Sequence, residues 1–181
     1  MGKSTTKALI PLDIAVLTVS DTRTDKDDTS GLLLQTSLQE AGHRCGDKQI
    51  VIDDIYQIRA KVSQWVADDT TQVILITGGT GFTGRDSTPE AITPLLDKSV
   101  DGFGELFRQI SYDEIGTSTV QSRALAGFAN NTLIFCVPGS TSACRTAWQK
   151  IIAEQLDSRH GPCNFVPHLK NSQFAACKSR E

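Results

Sequence analysis

The sequence predicts an α/β fold with a mainly parallel central sheet covered on both faces. Three observations point there. Short apolar runs rich in β-branched residues, at 14–19 (IAVLTV), 73–76 (VILI) and 133–137 (LIFCV), read as strands buried on both sides. Stretches with apolar residues at helical spacing alternate with the strands, which implies right-handed crossovers. The runs end in loops rich in Gly, Ser and Asp, and such loops gather at the carboxyl edge of an open sheet, where ligands bind.

Each element follows from local sequence. Residues 1–11 are polar and expected to be flexible. The first strand ends in Ser20-Asp21-Thr22-Arg23 and a charged loop to Thr29. Thr29 or Ser30 is expected to cap a helix through Leu32, Leu33, Leu34 and Leu38, with Gly42 as its stop. A second strand spans 49–52, and Asp53-Asp54 caps a helix with Ile55, Ile58, Val62, Trp65 and Val66 on one face. After the third strand, a helix over 88–96 starts either at a Thr88 cap followed by Pro89 or at a Ser87/Glu90 capping box. Residues 97–104 break it, with Gly102 and Gly104 as punctuation, and 105–112 and 119–128 read as two more helices. Asn130-Asn131 marks a turn before the fourth strand. Pro138-Gly139-Ser140-Thr141-Ser142 opens the last helix, which carries Ala143, Ala147, Ile151 and Leu156. The chain is irregular beyond 157, and 171–181 is expected to be a flexible tail, which leaves one domain over 12–170.

With 181 residues, 39% hydrophobic and 22% charged, the chain has the composition of an ordinary globular domain. A net charge of −3 gives no general attraction to nucleic acid or anionic membrane, so neither is an expected partner. No apolar run reaches membrane-span length, and residues 1–11 lack a signal-peptide core. Five cysteines, without a C-x-x-C pair, point to a cytoplasmic chain with reduced thiols and no zinc site.

The chemistry centres on residues 73–90, VILITGGTGFTGRDSTPE. Gly78-Gly79-Thr80-Gly81 forms a turn with few Cβ atoms, which permits positive φ and lets backbone amides approach a ligand. Those amides and the helix start that follows favour an anion. Arg85 and Asp86 add a cation and a carboxylate beside it. Ser20-Asp21, Asp53 and Pro138-Gly139-Ser140, at the other strand ends, should share the same edge. Gly79 to Gly84 also fits G-x-G-x-x-G, a dinucleotide pattern, but Pro89 puts the helix start after the motif. The glycine spacing of a P-loop is present too, with Arg85-Asp86 where Lys-Ser/Thr should stand.

Thr77-Gly78-Gly79-Thr80-Gly81 followed by Arg85-Asp86-Ser87-Thr88-Pro89-Glu90 resembles the signature of the molybdopterin-binding family of molybdenum cofactor biosynthesis. Ser20-Asp21, Gly102-Phe103-Gly104-Glu105, Phe107-Arg108-Gln109-Ile110-Ser111, Ser122-Arg123 and Pro138-Gly139-Ser140 stand in that family's order and spacing. The resemblance covers roughly residues 12 to 170. It implies a three-layer αβα sandwich, self-association into trimers or hexamers, and binding of molybdopterin and a nucleotide. It also implies transfer of AMP from Mg-ATP to the pterin's terminal phosphate, a nucleotidyltransferase reaction. By the same resemblance Asp53 and Asp86 are the catalytic carboxylates and tentative Mg²⁺ ligands. Ser20, Asp21, Gly78, Gly79, Thr80, Gly81, Arg85, Pro138, Gly139 and Ser140 would bind substrate and nucleotide. ATP enters as co-substrate, no tightly bound prosthetic group is expected, and other proteins of the pathway are further candidate partners. The sequence departs from the family at Ile52, where Pro is common, and at Thr141, where Pro-Gly-x-Pro would end. Two alternatives stay open: a non-catalytic pterin- or nucleotide-binding protein of the same fold, and a dinucleotide-binding module.

Phe103, Leu106, Phe107, Ile110 and Phe165 fall outside the plain strand–helix pattern and are expected to form an interface. Cys136 and Cys144 are expected to be structural, although Cys144 lies in a first helical turn, which can lower a thiol pKa.

Overall fold

The computed structural model describes residues 8–171. Strands β1 (Asp13–Val19), β2 (Arg44–Val51), β3 (Val73–Thr77), β4 (Lys98–Ser99), β5 (Leu125–Ala129) and β6 (Thr132–Val137) form one sheet in the order β2-β1-β3-β6-β5-β4. The first four strands in that order are parallel, and β5 and β4 join antiparallel at one edge.

Alternation of side chains along each strand divides the core in two. Ile14, Val16, Leu75 and Phe135 meet Leu34 and Leu38 of α1 (Thr29–Glu40), Phe103 and Phe107 of α4 (Asp101–Ile115), and Ala147 of α5 (Thr141–Ala147). Ala15, Leu17, Ile74, Ile76 and Ile134 face the other way, toward Ile58, Val62 and Trp65 of α2 (Ile55–Ala67) and Ala91 and Ile92 of α3 (Thr88–Ile92). Helices therefore cover both faces, as the three-layer expectation requires. A π-helical turn, Trp148–Ile152, joins α5 to α6 (Ala153–Leu156).

Several elements differ from the sequence reading. The helix expected over 119–128 is a 3-10 turn, Gly116–Gln121, followed by strand β5. Asn130 and Asn131 hold φ of 47° and 58°, the left-handed pair that a tight hairpin needs, and pairing with β6 overrides the helix preference of Leu and Ala. Helix α4 begins at Asp101, so Gly102 and Gly104 lie inside it. A Cβ on Gly104 would stand 2.7 Å from the Ala124 carbonyl oxygen, so close packing rather than a break explains this glycine. Strand β4, two residues long, gives no periodic signal. Strand β2 starts at Arg44, and its exposed edge tolerates the polar residues that hid it. Helix α3 ends at Ile92 because Pro94 has no amide to donate, and a 3-10 turn, Thr93–Leu95, follows. The cap of α1 is Asp28, whose carboxylate accepts the Gly31 amide at 3.0 Å, rather than Thr29 or Ser30.

Of the expected interface residues, Phe103 and Phe107 are 3% and 2% exposed and belong to the core. Phe165 packs edge-on against Phe128 at 5.6 Å, Ile110 packs against the core, and Leu106 is exposed. Within the segment expected to be flexible, the Ile10 amide donates to Ser158 Oγ at 2.9 Å. Residues 1–7 and 172–181, including Cys177 and nearly all of the expected tail, lie outside the described residues. Among the described residues no helix is long and apolar enough to cross a membrane.

Candidate functional site

The sheet register brings the strand ends level. Thr18 lies opposite Thr77, Thr77 opposite Val137, and Val19 opposite Val51. Above this edge is a cavity of about 620 Å³. Ser20 and Arg23 line it after β1; Gly78, Gly79, Thr80, Gly81 and Asp86 line it after β3; Pro138, Gly139 and Ser140 line it after β6.

The glycine turn is shaped by what surrounds it. Gly78 and Gly79 hold φ of 98° and 62°, a conformation that L side chains rarely adopt. A Cβ on Gly78 would collide with the Val19 carbonyl oxygen, and one on Gly79 would stand 2.7 Å from Asp53 Oδ2. On Gly81 it would stand 2.6 Å from Asp86 Oδ2. Thr88 Oγ1 donates to the Gly78 carbonyl at 2.8 Å, and the Thr88 amide donates to the Gly79 carbonyl at 2.9 Å. Thr88 thus ties the turn rather than capping α3. The Ser87/Glu90 capping box does not form either: the Ser87 hydroxyl goes to Asp53 and the Glu90 carboxylate to Arg123.

The two aspartates after β2 divide their work. Asp54 caps α2, accepting the Tyr56 and Gln57 amides at 3.0 and 2.9 Å. Asp53 is buried, and its Oδ1 accepts the Ser87 amide at 3.0 Å and the Ser87 hydroxyl at 2.6 Å. Its Oδ2 faces Gly79 from behind the turn, so Asp53 borders the glycine loop without lining the cavity. Asp86 opens onto the cavity, and its Oδ2 accepts the Thr83 amide at 2.9 Å and hydroxyl at 2.6 Å. The Thr83 hydroxyl leads the effects that hold Asp86 below the usual carboxylate range; burial opposes it, and the Thr83 and Gly81 amides and Arg123 reinforce it.

Arg85 and Asp21 form a fork, at 2.9 and 2.7 Å, outside the cavity lining. That hydrogen bond is the main reason Asp21 titrates below its ordinary value. Asp21 also accepts the Asp53 amide at 3.0 Å. The cation expected beside the anion cradle is thus engaged elsewhere.

Residues 15–158 match the family described as "Probable molybdopterin binding domain". The chain belongs to this molybdopterin-binding family. It is 63% identical to the molybdenum cofactor biosynthesis protein B of Escherichia coli K12 over 161 residues, which cover 89% of this chain and 95% of that protein. A crystal structure of a molybdenum cofactor biosynthesis protein B is similar with a TM-score of 0.80 and 44% identity, over 83% of this chain and 94% of the other. The tungsten cofactor synthesizing protein MoaB of Pyrococcus furiosus follows at a TM-score of 0.73 and 36% identity, covering 80% of this chain and 92% of its own. The chain is thus a homologue of proteins of molybdenum cofactor biosynthesis.

In this member of the molybdopterin-binding family, the sequence reading missed part of the wall. Ile115 at the end of α4, Ser118 and Gln121 in the turn Gly116–Gln121, and Ser122 after it line the cavity, between and within the helices expected over 105–112 and 119–128. Arg23 lines it too, donating to Ser30 Oγ at 2.7 Å and to the Gly139 carbonyl at 3.2 Å. Arg123 holds the glycine loop from outside. Its guanidinium donates to the carbonyls of Thr80 at 3.1 Å and Asp86 at 3.2 Å, and to that of Gly81. It also pairs with Glu90 and lies over the Phe82 ring at 5.0 Å. The dinucleotide reading does not account for this geometry, because the helix after the motif has five residues and the next strand, β4, pairs antiparallel.

Asp53 and Asp86 offer only oxygen donors, on either side of the glycine turn. Among the described residues no group of three or more His, Cys, Asp or Glu side chains is arranged to hold a metal. Such a donor set suits Mg²⁺, a hard ion that typically takes one or two carboxylates and fills its remaining positions with phosphate oxygens and water.

Proposed function

We propose that the protein binds molybdopterin and Mg-ATP in this cavity and transfers AMP to the pterin's terminal phosphate. One observation carries the reading: two carboxylates flank a glycine turn, with Asp86 on the cavity side and Asp53 behind Gly79. In the reaction, an oxygen of the pterin phosphate attacks the α-phosphorus of ATP and forms a new P–O bond. The bond from that phosphorus to the bridging oxygen breaks, and pyrophosphate leaves with the electron pair. The amides of Gly79 and Thr80 hold a phosphate, Gly78 and Gly81 frame the turn, with their amides donated to the Val137 carbonyl and to Asp86, and Ser20, Pro138, Gly139 and Ser140 shape the rest of the binding wall. Asp86 would hold Mg²⁺ on the cavity side, to neutralise charge as two anions meet, and Asp53, bound to Ser87 behind Gly79, would fix the turn rather than reach the ion. ATP is the co-substrate, and no prosthetic group is assigned.

The test is direct. Purified protein incubated with molybdopterin and Mg-ATP should release pyrophosphate and form adenylated molybdopterin. Binding of both ligands without product would favour the second reading, a non-catalytic pterin- or nucleotide-binding protein of the same pathway. The observation in its favour is that Arg85 is engaged by Asp21 and supplies no cation to the cavity.

The reading includes a cytoplasmic location and self-association into a cyclic trimer or a hexamer. Leu106, Tyr112, Ile115 and Val120, all exposed on α4 and the turn after it, supply an apolar surface for that contact. Light scattering at micromolar concentration should give a trimeric or hexameric mass; a monomeric mass would contradict it.

A further inference from the structure

The cavity is electrically divided, and we infer that Arg23 is a phosphate-binding residue that works without a metal and takes a phosphomonoester on the α1/α5 side of the glycine turn. The inference rests on the reading that this cavity binds phosphorylated ligands.

The division follows from the layers. Asp53 precedes α2 and Asp86 precedes α3, and both helices cover the same face of the sheet. Arg23 reaches toward the opposite layer, donating to Ser30 in α1 and to the Gly139 carbonyl just before α5. Among the described residues that line the cavity, Arg23 is the sole cation and Asp86 the sole carboxylate.

The carboxylate nearest Arg23 is bound more closely by another cation. The buried carboxylate nearby, Asp28, has a closer partner in Lys48 at 2.8 Å, and it also accepts from Thr18 Oγ1 at 2.9 Å and from the Gly31 amide at 3.0 Å. Arg23 stands at 3.8 Å from it, beyond hydrogen-bond distance. Lys48 pairs with Asp25 as well, at 3.6 Å, so it engages both carboxylates of this cluster, while the half-buried Arg23 guanidinium lines the cavity. A guanidinium uses two of its five N–H groups on Ser30 and Gly139 and keeps others for an acceptor. Its planar fork matches phosphate oxygens. Carboxylate with metal on one side and arginine on the other would separate two phosphate groups that otherwise repel.

The phosphomonoester could belong to the pterin or to the nucleotide, and paired ligands separate the two. The full chain is titrated calorimetrically in EDTA with AMP against adenosine, and with molybdopterin against its dephosphorylated form. Wild type should prefer the phosphorylated member of at least one pair. In Arg23→Gln that preference should fall about tenfold or more, the effect of losing a charge-assisted hydrogen bond. Arg23→Lys, which keeps the charge but not the fork, should retain part of it, and it serves if Arg23→Gln does not fold. The pair whose preference falls identifies the source. Unchanged preference in Arg23→Gln for both pairs, or no preference in wild type, would overturn the inference. Asp86→Asn separates it from the wider reading: it should weaken Mg-ATP binding and leave the metal-free preference intact. Loss of the Arg23 effect with the Asp86 effect preserved sinks only this inference, whereas the reverse sinks the metal assignment.

Discussion

Ser87 gives both its amide and its hydroxyl to one oxygen of Asp53, at 3.0 and 2.6 Å. The start of α3 is thereby pinned to the end of β2 behind the glycine turn. Asp53→Ala should cost about 1–3 kcal/mol, the penalty for leaving partly buried donors unpaired. Asp53→Asn keeps an acceptor oxygen for Ser87 and should lose less stability while losing the negative charge. Urea denaturation of the three proteins checks this. Equal midpoints for Asp53→Ala and wild type would show that the link carries no weight.

Asp86→Asn should fold normally, because an amide oxygen can still accept from Thr83. Its affinity for Mg-ATP should drop, while nucleotide binding in EDTA should stay close to that of wild type. Gly81→Val should produce the same defect by another route, since its Cβ would stand 2.6 Å from Asp86 Oδ2 and displace that carboxylate. Calorimetric titration with and without magnesium reads both; wild-type Mg-ATP affinity in the pair would put the site elsewhere.

Gly78 belongs to the frame rather than to the ligand. It holds φ of 98°, and a Cβ would run into the Val19 carbonyl, which is backbone and yields little. Gly78→Ala should therefore destabilise the fold by more than about 1 kcal/mol. A melting temperature equal to that of wild type would contradict this.

How legible the sequence was varies along the chain for physical reasons. The strands β1, β3 and β6 are buried on both faces, so their apolar runs announce them. Strand β5, LAGFA, is short and carries good helix formers, and only its hairpin partner makes it a strand. The site divides in the same way. Gly78 to Gly81, Asp86 and Pro138 to Ser140 were readable because parallel strands in register put their ends on one edge. Arg85 read as a cation beside the anion cradle, and its pairing with Asp21, 64 positions away, is a tertiary outcome that the local sequence does not show. Arg23 stood in a recognised loop, but nothing local says which of Asp21, Arg23 or Asp25 turns toward the cavity.

His43 should make stability depend on pH. It is 6% exposed, and its Nδ1 accepts the Leu12 amide at 3.2 Å. Burial pushes its pKa below the ordinary value, Asp157 opposes that, and Arg44 adds to it. The folded state then holds the neutral ring while the unfolded chain takes up a proton. Stability from this group is complete above the unfolded pKa of about 6.5 and is lost as pH falls from there toward the folded value, by up to about 1.4 kcal/mol per pH unit. In His43→Asn the amide oxygen can replace Nδ1 and does not titrate. Urea midpoints at pH 7 and pH 5 should fall more in wild type than in the variant; an equal fall would exclude His43 as the cause.

Cys144 is a thiol in a first helical turn that burial pushes up to about 11, with the Thr77 hydroxyl 3.1 Å away and pulling weakly the other way. Burial also pushes Cys136 up. Iodoacetamide at neutral pH should therefore modify the exposed Cys163 well before either, as peptide mapping would show. Rapid, stoichiometric labelling of Cys144 in the native protein would overturn its structural assignment.

Arg123 has a consequence for motion. Surface loops usually open at little cost and exchange their amide hydrogens quickly. Here one guanidinium, held beside β5, grips the carbonyls of Thr80, Gly81 and Asp86 and the carboxylate of Glu90. Opening the 80–86 segment means breaking all of those bonds at once, so its amides should exchange more slowly than those of an untethered loop. A ligand reaching the cavity then meets a rigid cradle and loses less conformational freedom on binding. Hydrogen exchange in Arg123→Ala reads this directly: protection should collapse across 80–86 and persist in β3.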